Sequence, residues 1–295
     1  AIIKTLRQAY VIVLEFKDIE DAYDIFERTN ARGLDLNIDD LLKNHIFSKS
    51  ENDEQTQETW EAIVEKAGGT LPRMLKYFWI SRKWPIVKKV LYKSIKDYSS
   101  SLGVDKMIEE LNEFANFYKL SYSADLKEMQ KRCEDFWLQS ISLNKAYCDD
   151  MARVFQALSL FKVTQPLPLI FSVLKSYRDA KVDNYKKLYA FLVAIENYHF
   201  NNNIITTRVW HDVEKLYADH SLVFYDTADR LSEVDRLIQL LRNKRSKKEE
   251  FVAKFTDICY DDGTAMLAYI FDKYNNYNKK WWQQKHVFDP DPTFL

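Results

Sequence analysis

Val104-Asp105-Lys106-Met107-Ile108-Glu109-Glu110-Leu111-Asn112-Glu113-Phe114-Ala115-Asn116-Phe117-Tyr118 is the stretch that decides the fold class. Val104, Met107, Ile108, Leu111, Phe114, Ala115 and Tyr118 recur at helical spacing and leave the charged positions on the opposite side. The same period recurs along most of the chain. It appears at Ile38, Leu41, Leu42, His45 and Ile46, and at Val154, Phe155, Leu158 and Phe161. It returns at Leu169, Ile170, Val173, Leu174 and Tyr177, at Leu188, Phe191, Leu192, Ile195 and His199, and at Val234, Leu237, Ile238 and Leu241. Met266 to Tyr277 reads as the last helix.

Punctuation agrees with this pattern. Trp84-Pro85 divides Leu71–Tyr98 into two helices, because proline removes a helical donor and disfavours helix in its predecessor. Gln165-Pro166-Leu167-Pro168 is a second break, Gly68-Gly69 a helix stop, and Asn201-Asn202-Asn203 an interruption. Ala9 to Phe16, with Tyr10, Val11, Ile12 and Val13, is β-branched and aromatic and reads as a strand. The expected architecture is mainly α, an irregular bundle of ten or more helices with one short N-terminal β-strand. A boundary is expected near residues 48–56, dividing 1–50 from 51–295.

Composition narrows the class. In 295 residues there are 5 Gly and 6 Pro, too few for a tight-turned all-β fold. Aromatic residues at 15% and charged residues at 29% exclude a disordered or fibrous chain. With 43 Lys+Arg against 44 Asp+Glu, any electrostatic function must come from local patches. Cys133, Cys148 and Cys259 form no CxxC pair, which fits a reduced, cytoplasmic protein without membrane attachment. The chain opens at Ala1 inside an apolar pattern and stops at Phe294-Leu295 with no domain visibly closed, so it reads as part of something longer.

Chemistry is sparsely advertised. There is no GxxxxGK[ST], no GxGxxG and no HExxH, and His45, His199, His211, His220 and His286 are scattered. His211, Asp212 and Glu214 read as surface residues rather than metal ligands. From Arg73 to Lys96 there are eight basic residues and no acidic one: Arg73, Lys76, Arg82, Lys83, Lys88, Lys89, Lys93 and Lys96. Tyr77, Phe78, Trp79, Trp84 and Tyr92 are interleaved with them. Such a stretch suits phosphate contact through counterion release. It equally suits a solvated basic face over a buried aromatic one, paired with the acidic stretch Glu51–Glu65. Arg242, Lys244, Arg245, Lys247 and Lys248 form a shorter cluster, diluted by Glu249 and Glu250, that reads as a polar loop. Around Asn30-Ala31-Arg32-Gly33, a helix, a glycine turn and a second helix could cradle a phosphate at the free amides, or could simply fix an interhelical angle.

Asp21-Ala22-Tyr23, Ile25-Phe26-Glu27, Asn30-Ala31-Arg32-Gly33 and Asp40-Leu41-Leu42-Lys43-Asn44 together resemble the end of the ParB-like domain of the GmrSD family. These are type IV, modification-dependent restriction endonucleases of phage defence. Trp79-Ile80-Ser81-Arg82, Lys89–Lys96, Gln165–Ile170, Glu196–Phe200 and Ile205–Arg208 are similar to that family's helical region, in family order. The resemblance implies residues 1–50 as the tail of a ParB-like domain and 51–295 as a helical domain leading to an HNH nuclease domain. Neither the family's Asp-Gly-Gln-Gln-Arg motif nor its Ile-Glu-His-Ile-like motif occurs here, and His286 lacks the glutamate expected before it. No catalytic or metal-binding residue and no cofactor of this chain's own is therefore expected. The parent would use an NTP and a divalent metal.

Asn30, Arg32, Gly33, Lys43 and Asn44 match the motif tied to nucleotide. Arg82, Lys83, Lys88, Lys89 and Lys93 are the expected phosphate contacts on DNA, modified or not. Further expected partners are the N- and C-terminal domains of the same protein and a second copy of it. The alternative is a helical interaction scaffold with Trp281 and Trp282 as anchors and no nucleic acid bound.

Overall fold

The computed structural model describes residues 38–50, 53–83, 88–121, 125–138, 145–180, 185–208, 213–225, 232–259 and 264–283. Among them it is mainly helical, with thirteen α-helices and no strand. The expected strand Ala9–Phe16 and the corner Asn30, Arg32 and Gly33 lie outside the described residues. The chain divides into two compact units, one within 1–76 and 86–113, the other within 77–85 and 114–295.

The first unit holds α1 (Ile38–Lys49), α2 (Asp53–Ala67), part of α3 (Leu71–Ile80), all of α4 (Lys88–Leu102) and most of α5 (Val104–Tyr118). α1 forms because Ile38, Leu41, Leu42, His45 and Ile46 make one apolar stripe, and all five are buried. That stripe packs on α2 and α4. His45 Nε2 lies 3.0 Å from Ser99 Oγ of α4, so its polar ring is satisfied inside. The boundary expected at 48–56 therefore falls inside this unit. The face that α1 must bury is covered by residues on the far side of that boundary, and Ser50 Oγ reaches Thr56 Oγ1 across it at 2.6 Å. Helix α2 occupies the stretch read as merely acidic, burying Thr56, Trp60, Ile63 and Ala67 along a narrow stripe. It ends where Gly68 and Gly69 take φ of 56° and 77°, a conformation that L side chains rarely adopt.

The second unit is built around α8 (Leu167–Asp179), which buries every residue from Leu167 to Tyr177 except Lys175. A helix apolar nearly all round belongs at a centre. Pro166 precedes it and Pro168 sits in its first turn, where a missing N–H leaves no bond unmade. Phe171 meets Phe114 at 4.9 Å and Phe117 at 5.2 Å between ring centroids, in tilted or edge contacts of the sort that add about 1 kcal/mol each. α6 (Leu126–Leu138) packs on α7 (Lys145–Leu160), α7 on α9 (Tyr185–His199), and α8 on α10 (Val213–Tyr225). α11 (Glu233–Asn243) covers α9, while α13 (Thr264–Gln283) lies on α7. After His199 the chain winds into one wider π-helical turn, Phe200–Ile205, against which α12 (Lys248–Thr256) rests.

Candidate functional site

The residues expected to contact nucleotide or DNA divide by the face their helix gives them. On α1, Lys43 is exposed, its Nζ 5.4 Å from the Phe47 ring centroid, and Asn44 is half-buried. On α4, Lys93 is exposed, and Arg73 of α3 is exposed in the same unit. Among the described residues Lys43, Arg73 and Lys93 stand outside any ion pair. Glu54, Glu58, Glu61 and Glu65 form an exposed ridge on α2 and do not neutralise them. Lys83, in the second unit, is also exposed. The side chains of Lys88 and Lys89 lie outside the described part of the molecule.

Arg82 departs from expectation. It is 3% exposed, with its guanidinium 3.9 Å from the Phe78 ring centroid and Phe114, Phe171 and Tyr225 within 6 Å. Nη1 donates to the Phe78 carbonyl at 3.3 Å and to Ser81 Oγ at 2.7 Å. In this position it braces the aromatic core and presents no charge to a phosphate. Sequence could not separate it from its neighbours, because three of the four rings around it come from residues 114, 171 and 225 and only Phe78 is local.

A dense buried polar constellation follows α9, at the run of three asparagines. His199 is fully buried; its Nδ1 donates to Asn203 Oδ1 at 3.0 Å, and its Nε2 accepts from the Tyr217 hydroxyl at 2.9 Å. Burial pushes the imidazole down to about 4 from its ordinary 6.5, the Asn203 bond opposing this in part. Burial likewise pushes the Tyr217 hydroxyl well above its usual range. Asn202, 3% exposed, accepts from the Ser246 N–H at 2.8 Å and donates to the Lys244 carbonyl at 3.0 Å. Asn201 Oδ1 accepts from the same N–H at 3.0 Å and from the Ser246 hydroxyl. The Thr206 hydroxyl donates to the Asn201 and Asn202 carbonyls, and Thr207 closes the turn at φ 49°. A non-glycine residue there costs on the order of 1 kcal/mol or more, which the surrounding bonds must outweigh. The asparagines read in sequence as an interruption are thus a clasp. The signal was their position, directly after the apolar stripe Leu188–His199.

Nearby, Glu196 is fully buried and its carboxylate lies 2.7 Å from Lys273 Nζ. Glu196 shares the apolar face of α9 with Leu192 and Leu188, four and eight positions earlier, a placement legible in sequence. A cavity of about 210 Å³ between α7 and α13 is lined by Leu126, Arg153, Gln156, Tyr269, Asp272 and Lys273. Arg153 meets Asp272 at 3.3 Å, so each cation of this cleft faces a carboxylate and the pairs hold α13 to the body. Cys133 and Cys148 are buried, and burial pushes both thiols up, away from nucleophilic thiolate. No group of three His, Cys, Asp or Glu converges as a metal site among the described residues. Nor, among them, is any helix long and apolar enough to cross a membrane. Comparison with protein-family models, curated proteins and solved structures found no match to the chain.

Proposed function

We propose that this chain is the central helical part of a GmrSD-like, modification-dependent DNA restriction endonuclease, and that its first unit contacts the phosphate backbone. The observation that carries the reading is the state of Lys43, Arg73 and Lys93: exposed, and outside any ion pair among the described residues. A basic stretch that only balanced the α2 carboxylates would be tied to them. Exposed cations of this kind can neutralise phosphates and release their counterions. The motif resemblance supplies the rest: the end of a nucleotide-hydrolysing ParB-like domain before α1, and a nuclease domain beyond the chain. Lys43 and Asn44, on the outward side of α1, are the proposed nucleotide-side residues. Lys88, Lys89 and Lys93 are the proposed backbone contacts, and Arg82 takes no part.

The test is fluorescence anisotropy of a labelled DNA duplex across a salt series, with the 295-residue chain and a Lys88→Glu/Lys89→Glu/Lys93→Glu variant. Steeply salt-dependent binding that the variant loses is the expected result. Absence of binding at low salt would overturn it.

A second reading, a helical docking or self-association module, draws on α13, where Phe271 and Tyr274 are 52% and 65% exposed. Sedimentation velocity with a Phe271→Ser/Tyr274→Ser variant separates the two, since only the docking module depends on those rings.

A further inference from the structure

The run Arg242, Lys244, Arg245, Lys247 and Lys248 reads in sequence as a polar loop, yet the fold holds it more firmly than a solvated loop requires. Residues 244–247 join α11 to α12, with Arg242 in the last turn of the one and Lys248 at the start of the other. The Ser246 N–H at its centre is held by Asn201 Oδ1 and Asn202 Oδ1 at 3.0 and 2.8 Å, and Asn202 also grips the Lys244 carbonyl at 3.0 Å. Arg245 Nε donates to the Arg242 carbonyl at 3.4 Å. Ser246 is drawn inside at 8% exposure while Lys244, Lys247 and Lys248 on either side of it are exposed. Of the two carboxylates that follow, Glu250 is engaged by Arg208 at 3.4 Å. The result is five cations in seven positions on a backbone fixed by two side-chain amides. Like charges held this close repel one another, and an anion lying across them relieves that repulsion.

We infer that the α11–α12 loop is a second nucleic-acid contact, a pre-organised cationic clamp for consecutive phosphates, positioned by the Asn201–Asn202 clasp. Phosphate contact needs charge at fixed spacing and no pocket, and residues 242–248 contain no aromatic or aliphatic residue that could anchor a peptide. The partner class is the one proposed above, but the surface is distinct and either can fail alone.

The experiment measures binding of the 295-residue chain to a labelled DNA duplex, to single-stranded RNA and to phosphatidylserine vesicles, across a salt series. Three variants are compared: Lys244→Gln/Lys247→Gln/Lys248→Gln, Asn202→Ala, and Lys88→Gln/Lys89→Gln/Lys93→Gln. The loop triple variant is expected to weaken nucleic-acid binding at least about tenfold at low salt. It should also lower the slope of log affinity against log salt by roughly 2 to 3, near 0.9 for each phosphate that is no longer neutralised. Asn202→Ala should weaken binding severalfold with the slope unchanged, since it removes positioning and no charge. A loop variant that binds DNA and RNA like the parent chain overturns the proposal, as does an effect confined to vesicle binding. Loop-dependent binding to RNA with none to duplex DNA supports the clamp and sinks the restriction reading. Weakened binding in the α4 variant alone does the reverse.

Discussion

Two basic stretches, Arg73–Lys96 and Arg242–Lys248, differ in charge density, eight cations in 24 positions against five in seven, and are used differently. In the first, cations such as Arg73 and Lys93 sit on helices whose period decides where each one points, while Arg82 and Lys83 sit in the turn after α3. Arg82 goes into the aromatic core while Arg73, Lys83 and Lys93 face out. In the second they sit on and beside a short loop whose buried residue, Ser246, is clamped from below. A count of charges does not define a charged surface; the backbone that carries them does.

The contrast breaks most visibly at Arg82. Its removal takes away a cation stacked at 3.9 Å on Phe78, two hydrogen bonds and the volume they fill. Arg82→Ala should cost about 3–4 kcal/mol in urea unfolding, the range for emptying a packed polar site. Arg82→Lys should recover less than half, because an ammonium neither spreads over a ring nor forks to two acceptors. If Arg82→Ala proved as harmless as Lys83→Ala, the two residues would belong to one surface and the contrast would vanish.

The clasp beneath the second stretch should be sensitive to acid. The His199 imidazole is held down near 4 by burial, while in the unfolded chain it protonates near 6.5. The unfolded state thus binds the proton more tightly. His199 contributes its full stability above about pH 6.5 and loses it as pH falls towards 4, by about 3 kcal/mol in all. Urea midpoints between pH 7.5 and 4 should fall steeply for the parent chain and less for His199→Gln, whose side chain stays neutral. Equal acid slopes in the two would show that the proton goes elsewhere. Asn202→Ala acts on the same clasp with a smaller expected loss, about 1–3 kcal/mol, because it removes the amide donor to the Lys244 carbonyl and one of the two acceptors of the Ser246 N–H. Hydrogen exchange at the Ser246 amide is the direct readout, and unchanged protection there would remove the pinning on which the contrast rests.

What could be read in advance follows from range. The stripe of α1, the stripe 104–118 and the prolines at 166 and 168 are local patterns, and the helices stand where those patterns put them. Helix α2 was hidden because Glu54, Gln55, Gln57, Glu58 and Glu61 swamp one apolar or small residue per turn. Arg82 and Asn202 were illegible for a different reason. The partners that define them, Phe171 and Tyr225 for one, Lys244 and Ser246 for the other, lie at least 40 residues away. No local period encodes such a meeting. The same limit explains why the expected division near residue 50 does not match the unit observed, since α4 had to return from residue 88 onwards to cover α1.

The smallest expected effect sharpens the contrast most, because it isolates charge from structure. Lys93 is exposed and outside any ion pair among the described residues, so Lys93→Gln should leave the urea midpoint unchanged within error. Asp97 follows one helical turn later and is exposed as well, which partly cancels the local potential. The loss of duplex affinity should therefore be only severalfold at low salt, with the salt slope reduced by about 1. On a helix each cation acts almost independently, so Lys88→Gln and Lys89→Gln should add to it nearly linearly in free energy. On the pinned loop the cations share one fixed backbone, and Asn202→Ala should weaken the effect of every lysine there at once. Additivity at both places would mean that the clasp contributes stability alone; non-additivity confined to residues 244–248 would mean that it shapes a surface.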